Sequence, residues 1–358
     1  MEFPIFNTKE LSDGKKYDLN DPVERREYFE AKLGDKLDEL KEYLDNNTFV
    51  AFLLAKKSAG KGTYSKLFQE VVGEDRAAVV SVGDIFRDAL SLVKKGGKQK
   101  KSLVEYFEKN LRGFITPEEA VDAMLGLTQD KLLPTEIILA LVKKEIEEIG
   151  RKAVFIDGLP RDHDQISYSL YFREIINFRD DPDFFILIDV PMEVIDERMK
   201  FRRICPVCKI ARNTKLLPTK FVKYDDKKGE YYLVCDNSAC TGFKKKKLVS
   251  KVGDEHGTKL IKERLDRDQE LINLATKLQG IPKVYLRNAI PADKSGDMAE
   301  DYEITPEYSY ELDKNGEVKV IEKPWTIKDD SGVESHSLLS APVALSLITQ
   351  IHKILLGD

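Results

Sequence analysis

The 358-residue chain has no long hydrophobic run. Its longest apolar runs, Phe49–Ala55 and Phe184–Ile188, stop well short of the roughly 20 residues that span a bilayer. The opening MEFPIFNTKE has no basic-then-apolar layout of a secretory signal, so a cytoplasmic protein is expected. An excess of positive charge is also missing. Lys and Arg total 58 against 63 Asp and Glu, a net charge of −5, and such a surface offers no overall basic field to nucleic acid or a lipid surface. Neither is expected as a partner. None of the four histidines (His163, His256, His336, His352) has neighbours in a catalytic pattern. There is no internal repeat and no low-complexity segment. Cysteine is scarce, and all four lie between Cys205 and Cys240. A disulfide framework would be spread more widely in a secreted chain, so these cysteines are expected to do something else.

The rest of the composition suits a globular protein of two to three domains, with 42% hydrophobic and 34% charged residues. Asp21-Pro22-Val23-Glu24 reads as an N-cap, a first-turn proline and a capping-box glutamate. The stripe Phe29, Leu33, Leu37, Leu40 and Leu44 then predicts one core-facing helix that ends at Asn46-Asn47. Five short runs come next, Phe49–Leu54, Ala77–Val80, Ala153–Ile156, Phe184–Ile188 and Lys283–Leu286, separated by helical stretches. Their continuous hydrophobicity predicts strands buried on both faces, hence an α/β, doubly wound parallel five-stranded sheet. Ligands of such sheets bind at the carboxyl ends of the strands. Four regions are expected: an N-terminal helical extension (1–47), a core (48–290), an insertion (291–335) and a C-terminal core helix (336–358). The core includes a helical arm (88–135) and a cysteine-bearing arm (203–252). The insertion should hold a β-hairpin around Asp313–Gly316 and decorate the surface.

The residues just after each strand carry the chemistry. After the first comes Ala55-Lys56-Lys57-Ser58-Ala59-Gly60-Lys61-Gly62-Thr63, close to the phosphate-cradling pattern G-x-x-x-x-G-K-[ST] and succeeded by a helix whose N-terminus favours anions. The second strand leads into Gly83-Asp84-Ile85-Phe86-Arg87. The third leads into Asp157-Gly158-Leu159-Pro160-Arg161 and Gln165. The fourth ends in Asp189-Val190-Pro191, with Arg198, Arg202 and Arg203 beyond it and Arg264 further on. A lysine loop, strand-end aspartates and several arginines on one sheet edge suit two polyanions and Mg²⁺, because phosphoryl transfer needs positioning and charge neutralisation more than covalent chemistry. Cys205-x2-Cys208 and Cys235-x4-Cys240 suit a closed tetrahedral Zn²⁺ site that orders a small arm, with iron a chemical alternative. The block Lys244–Lys247 is expected to be a solvated face.

Together these motifs resemble the nucleoside monophosphate kinases, most closely adenylate kinases with a zinc-bearing lid, over about residues 48–290. The resemblance implies a P-loop nucleoside triphosphate hydrolase type of core with an NMP-binding arm and a zinc lid. It implies Mg²⁺-dependent direct in-line transfer, ATP + AMP = 2 ADP. By the same resemblance Ser58, Ala59, Gly60, Lys61, Gly62 and Thr63 hold the donor phosphates, with Arg198 and Arg202 on the ATP side. Val82, Arg87, Lys131, Leu132, Leu133, Gly158, Arg161, Gln165 and Arg264 form the AMP side. Lys61, Arg161, Arg202 and Arg264 act on the transferring group, and Asp84 and Asp157 hold Mg²⁺ through water. The zinc is structural, and the enzyme is expected to be a monomer.

The chain departs from the family pattern in several places. Ala55, Lys57 and Ser58 stand where Gly, Pro and Gly are usual. A lid arginine is missing, with Lys251 the nearest base, and the Arg87-to-Asp157 stretch is enlarged. Gln165 favours an adenine acceptor, whereas Val82 replaces a usual threonine, which keeps a UMP/CMP or broad-specificity kinase in view. The altered loop and the two additions also admit a non-catalytic nucleotide-binding regulatory or assembly protein.

Overall fold

A computed structural model describes residues 3–126, 133–170, 172, 181–251 and 253–357. In chain order, α1 (Pro22–Leu33) and α2 (Asp35–Asn46) lead into β1 (Val50–Ala55), α3 (Lys61–Val72), β2 (Ala77–Ser81) and α4 (Val82–Lys95). The helical arm adds α5 (Gly97–Asn110) and α6 (Pro117–Leu125), and then come α7 (Thr135–Ile149), β3 (Ala153–Asp157), α8 (His163–Leu170), β4 (Asp183–Asp189) and α9 (Met192–Lys200). The cysteine arm carries β5 (Arg202–Ile204), β6 (Ala211–Asn213), β7 (Val222–Asp225) and β8 (Glu230–Leu233), then α10 (Lys262–Lys277) returns to β9 (Lys283–Arg287). Beyond lie β10 (Ala289–Pro291), α11 (Ser295–Met298), β11 (Pro306–Leu312), β12 (Val318–Pro324), β13 (Ile327–Lys328), β14 (Glu334–Ser337) and α12 (Ser340–Leu356).

The main sheet has the order β2-β3-β1-β4-β9, and every pairing in it is parallel. The five expected strands are all present, with no end displaced by more than one residue. Burial on both faces follows from the alternation of side chains along each strand. Ala51, Leu53 and Ala55 of β1 enter one apolar cluster with α3, α9 and α12. Val50, Phe52 and Leu54 enter the other with α4, α7 and α10. The helical arm extends the second cluster through Leu103, Phe107, Ala120, Val121 and Met124.

Two expectations need correction. The segment 21–46 is two helices, because Gly34 (φ 54) breaks the helical path while still bonding to Glu30 O. The stripe residues all stay buried. Asp21 caps α1 as expected, but Glu24 accepts from the N–H of Asp18 at 2.8 Å rather than closing a box on Asp21. The 291–335 insertion does more than decorate the surface. Its β11–β12 hairpin forms around the expected turn, and its Glu303 meets Lys32 of α1 in a pair with both side chains fully buried, 2.9 Å apart. Tyr28 Oη (2.7 Å), Thr8 Oγ1 (2.5 Å) and the N–H of Glu300 (2.8 Å) also donate to that carboxylate. Tyr28, Phe29, Leu40, Trp325, Ile327 and Leu338 lie in the same apolar cluster as the α3–α12 face of the sheet. The N-terminal extension and the insertion are therefore one co-packed cap.

Candidate functional site

The loop after β1 turns sharply into α3. Ser58 (φ 68) and Gly60 (φ 105) both take left-handed backbone there. Ser58 adopts the conformation that a glycine would take freely, at a cost of about 1–2 kcal/mol. Lys61, first residue of α3, curls back so that Nζ donates to Ala55 O at 2.8 Å and lies 3.9 Å from Asp157. Burial lowers its pKa, opposed by Asp157 and Asp268. Ala59 is buried, and Gly62 and Thr63 lie in the first turn of α3, with Thr63 N bonding to Gly60 O at 2.8 Å.

The loop after β3 brings Arg161 to the same place. Gly158 (φ 98) lets the guanidinium lie close, since a Cβ there would sit 2.5 Å from Arg161 Nη2. A Cβ on Gly83 would lie 3.6 Å from the same atom and 3.5 Å from Arg87 Nη1, so the two arginines converge over the start of α4. Burial is the main reason that Arg161 is less basic than usual, with Arg264 adding to it. Arg87 pairs with Asp84, and both are largely exposed. Ala55, Lys61, Asp157, Gly158, Arg161, Arg264 and Asp268 line one small cavity at the carboxyl ends of β1 and β3.

Other expected residues sit nearby in different company. Arg198 reaches Ala59 O (3.5 Å) and Asn288 Oδ1 (3.3 Å). The buried Asn288 also bonds Tyr64 Oη, Ser337 Oγ and Leu338 O, so the chain just before and just after the insertion helps to form this region. Arg202 is not among the cavity-lining residues; Asp254 holds it in a bidentate pair at 2.6 and 2.7 Å. Gln165 is buried, with Oε1 accepting from Arg161 N at 2.7 Å and Nε2 donating to Thr135 Oγ1 at 3.3 Å. In this state it braces Arg161. Val82 and Leu133 are buried. Lys131 and Leu132 lie outside the described residues.

The cysteine arm gathers its four sulfurs within 4.8 Å of one another. Cys208 Sγ and Cys235 Sγ are 3.7 Å apart, close to the ~3.8 Å edge of a tetrahedron with metal–sulfur bonds of about 2.3 Å. Each Cys pair sits on a turn containing left-handed backbone, at Lys209 (φ 62) and Lys244 (φ 57). The Ile210 N–H lowers the Cys208 thiol to about 6, while burial pushes Cys235 up to about 12. All four residues of the lysine block are exposed, as expected, and two of them lie over rings. Lys244 Nζ lies 5.1 and 5.2 Å from the ring centres of Phe221 and Phe243, and Lys247 Nζ lies 4.4 Å from that of Tyr232.

No family model matches the chain. Among curated proteins it is similar to the adenylate kinase of Thermotoga neapolitana, 32% identical over 168 residues that cover 47% of this chain and 64% of that protein. It is also similar to the adenylate kinase of Clostridium kluyveri, 30% identical over 235 residues that cover 64% of this chain and 86% of that protein. The chain belongs to the adenylate kinase family. A further adenylate kinase, from Petrotoga mobilis, is 31% identical over 183 residues, 48% of this chain and 71% of that protein.

Set within the adenylate kinase family, the site holds three acidic residues that sequence reasoning passed over, Asp254, Asp268 and Asp330, whereas Asn288 stands in the loop that the resemblance marks for the donor adenine. Asp268 had a signal, since it stands four residues after Arg264 and therefore on the same face of α10. Asp330 had none. It comes from the insertion, pairs with the buried Lys56 of the loop after β1 at 2.7 Å and accepts from the N–H of Met192 at 2.7 Å.

Proposed function

We propose that the protein is an adenylate kinase in activity as well as in family, catalysing reversible ATP + AMP = 2 ADP by direct in-line transfer. The observation that carries this reading is the convergence of Lys61, Arg161 and Arg264 on one cavity beside the N-terminus of α3. Ser58 to Thr63 bind the donor phosphates through loop N–H groups and the start of α3, and Lys61 follows the migrating phosphoryl group. Arg198 stacks on the donor base beside Asn288. Arg87 and Arg161 clamp the acceptor phosphate, with Val82, Leu133, Lys131, Leu132, Gly158 and Gln165 around the acceptor. Arg264 neutralises charge that develops in transfer. Arg202 joins it once released from Asp254, as the arms 88–135 and 203–252 close and exclude water.

Asp84 and Asp157 fit Mg²⁺, because both offer carboxylate oxygens partly open to solvent at the sheet edge, 64% and 27% exposed. They would hold it through its waters, and it would neutralise phosphate charge when bound. The four cysteines fit a structural Zn²⁺. Four clustered thiols cannot all ionise unaided, and a dication makes four thiolates favourable. Reduced thiols of this kind suit the cytoplasm. We assign no nucleic-acid or membrane partner and a monomeric state; among the described residues no helix is long and apolar enough to cross a membrane.

A second reading, a UMP/CMP or broad-specificity kinase, is favoured by the engagement of Gln165 with Arg161 and Thr135 and by the apolar Val82. A coupled assay of Mg·ATP against AMP, CMP, UMP and GMP decides between them. Turnover with AMP alone is expected, and turnover with a pyrimidine nucleotide would move the assignment. In the same assay Lys61→Met should lower kcat by at least about 10²-fold with the fold intact. Absence of turnover with every acceptor, in folded zinc-loaded protein, would leave a nucleotide-binding protein without catalysis.

A further inference from the structure

A carboxylate stands inside the phosphate pocket, where repulsion of an incoming polyphosphate makes it costly. Asp268 shares one cavity with Lys61, Arg161 and Arg264. Its Oδ2 accepts from the backbone N–H of Lys57 at 2.9 Å, so it holds the phosphate loop by the kind of donor that cradles phosphate in such loops. Without an anion the cluster would be strained: Lys57, Lys61 and Arg161 are each made less basic first by burial and then in part by neighbouring cations. Asp157 does not fill this role. It lies at the end of β3, 3.9 Å from Lys61 Nζ, and makes no bond to the loop backbone among those of the described residues.

We propose that Asp268 is an internal counter-ion of the phosphate pocket, standing in for the donor's phosphates while the pocket is empty and limiting how tightly they bind. This assignment rests on the kinase reading above. The i, i+4 relation to Arg264 places charge and counter-charge on one face of α10. The carboxylate thus stabilises the turn that Ser58 makes in left-handed backbone, and it does so at the expense of ligand affinity. It is a positioning residue, acting on the substrate through the loop and through its charge.

The test measures binding of Mg·ATP and of inorganic tripolyphosphate to the full-length zinc-loaded protein by calorimetry, without acceptor. Wild type is compared with Asp268→Asn and Asp268→Ala, each checked for folding by circular dichroism. Removal of the charge should tighten both ligands by about 3–10-fold at low salt, less at high salt, and lower the Tm of the empty protein. A purely structural residue would leave affinity unchanged or weaken it. Folded variants that bind no tighter than wild type would overturn the assignment of Asp268 alone. So would loss of folding in both variants, which would make the residue structural. Wild type that binds neither ligand would overturn the kinase reading, and this assignment with it.

Discussion

The cysteine lid and the cap formed by the N-terminal extension and the 291–335 insertion both project from the same α/β core, yet they are held together by different physics. The lid has an apolar cluster of only five buried residues, Cys205, Leu233, Cys235, Cys240 and Leu248, and three of them are cysteines of the sulfur cluster itself. Burial on that scale does not order a small arm, and the four clustered sulfurs are compatible with a metal that would supply the lid's cohesion. Among the described residues the cap has no such centre. Tyr28, Phe29, Leu40, Trp325 and Leu338 continue the cluster that covers one face of the main sheet, and the buried Lys32–Glu303 pair fixes the two distant chain segments against each other. On the proposed kinase reading, a module that moves over substrate gains from cohesion of its own. One that braces the core gains from sharing its packing.

The two meet at one seam. Tyr308 N donates to Lys215 O at 2.7 Å, Tyr310 Oη donates to Thr214 O, and the Tyr231 and Tyr310 rings lie 5.5 Å apart. Lys215 pairs with Glu197 of α9 at 2.6 Å and lies 3.6 Å from Glu307 of the hairpin. The cap therefore grips the lid close to where it leaves the core.

The largest effect should come from taking the metal away. Chelation, or Cys235→Ser, removes a contribution of about 10–16 kcal/mol to the order of residues 203–252. Hydrogen exchange should show the lid unprotected and phosphoryl transfer lost, while the five-stranded core keeps its protection. Collapse of the core together with the lid would erase the contrast between lid and cap. Next is Lys32→Met, which strands a buried carboxylate and should cost about 3–5 kcal/mol, read as a lowered Tm with zinc content unchanged. An unaltered Tm would mean that apolar packing alone holds the cap. Smallest is Tyr310→Phe, which removes one hydrogen bond at the seam and should cost about 0.5–1.5 kcal/mol. Its signature is faster exchange around Thr214 and Lys215 with core protection intact. If exchange there stays slow, the hairpin does not restrain the lid.

Much of the fold was legible because its signals are local. Doubly apolar runs with phosphate-loop and strand-end aspartate motifs between them can satisfy their burial only in a covered parallel sheet, and the cysteine spacing survives folding as a four-sulfur cluster. The helix break at Gly34 was illegible because the apolar stripe runs unbroken across it. The placement of Gln165 was half legible. Its position after Pro160-Arg161 marks it for the acceptor side, but only packing turns its amide towards Arg161 N and Thr135. Ser58 stands out in the sequence as a departure from glycine, and the turn does require the left-handed backbone that makes the departure matter.

The sequence by itself determined the elements, their parallel arrangement and the chemistry gathered at the strand ends, because periodicity, turn residues and motif spacing act over a few residues. Only the tertiary structure decided that Glu303 would neutralise Lys32, that Asp330 would hold Lys56 and that Asp268 would line one cavity with Lys61. The first two partners are more than 270 residues apart, and the third contact reaches 211 residues along the chain to the N–H of Lys57. A charge shows nothing in the sequence about which distant counter-charge will bury it. That choice is made by burial, where an unpaired ion is too costly to leave.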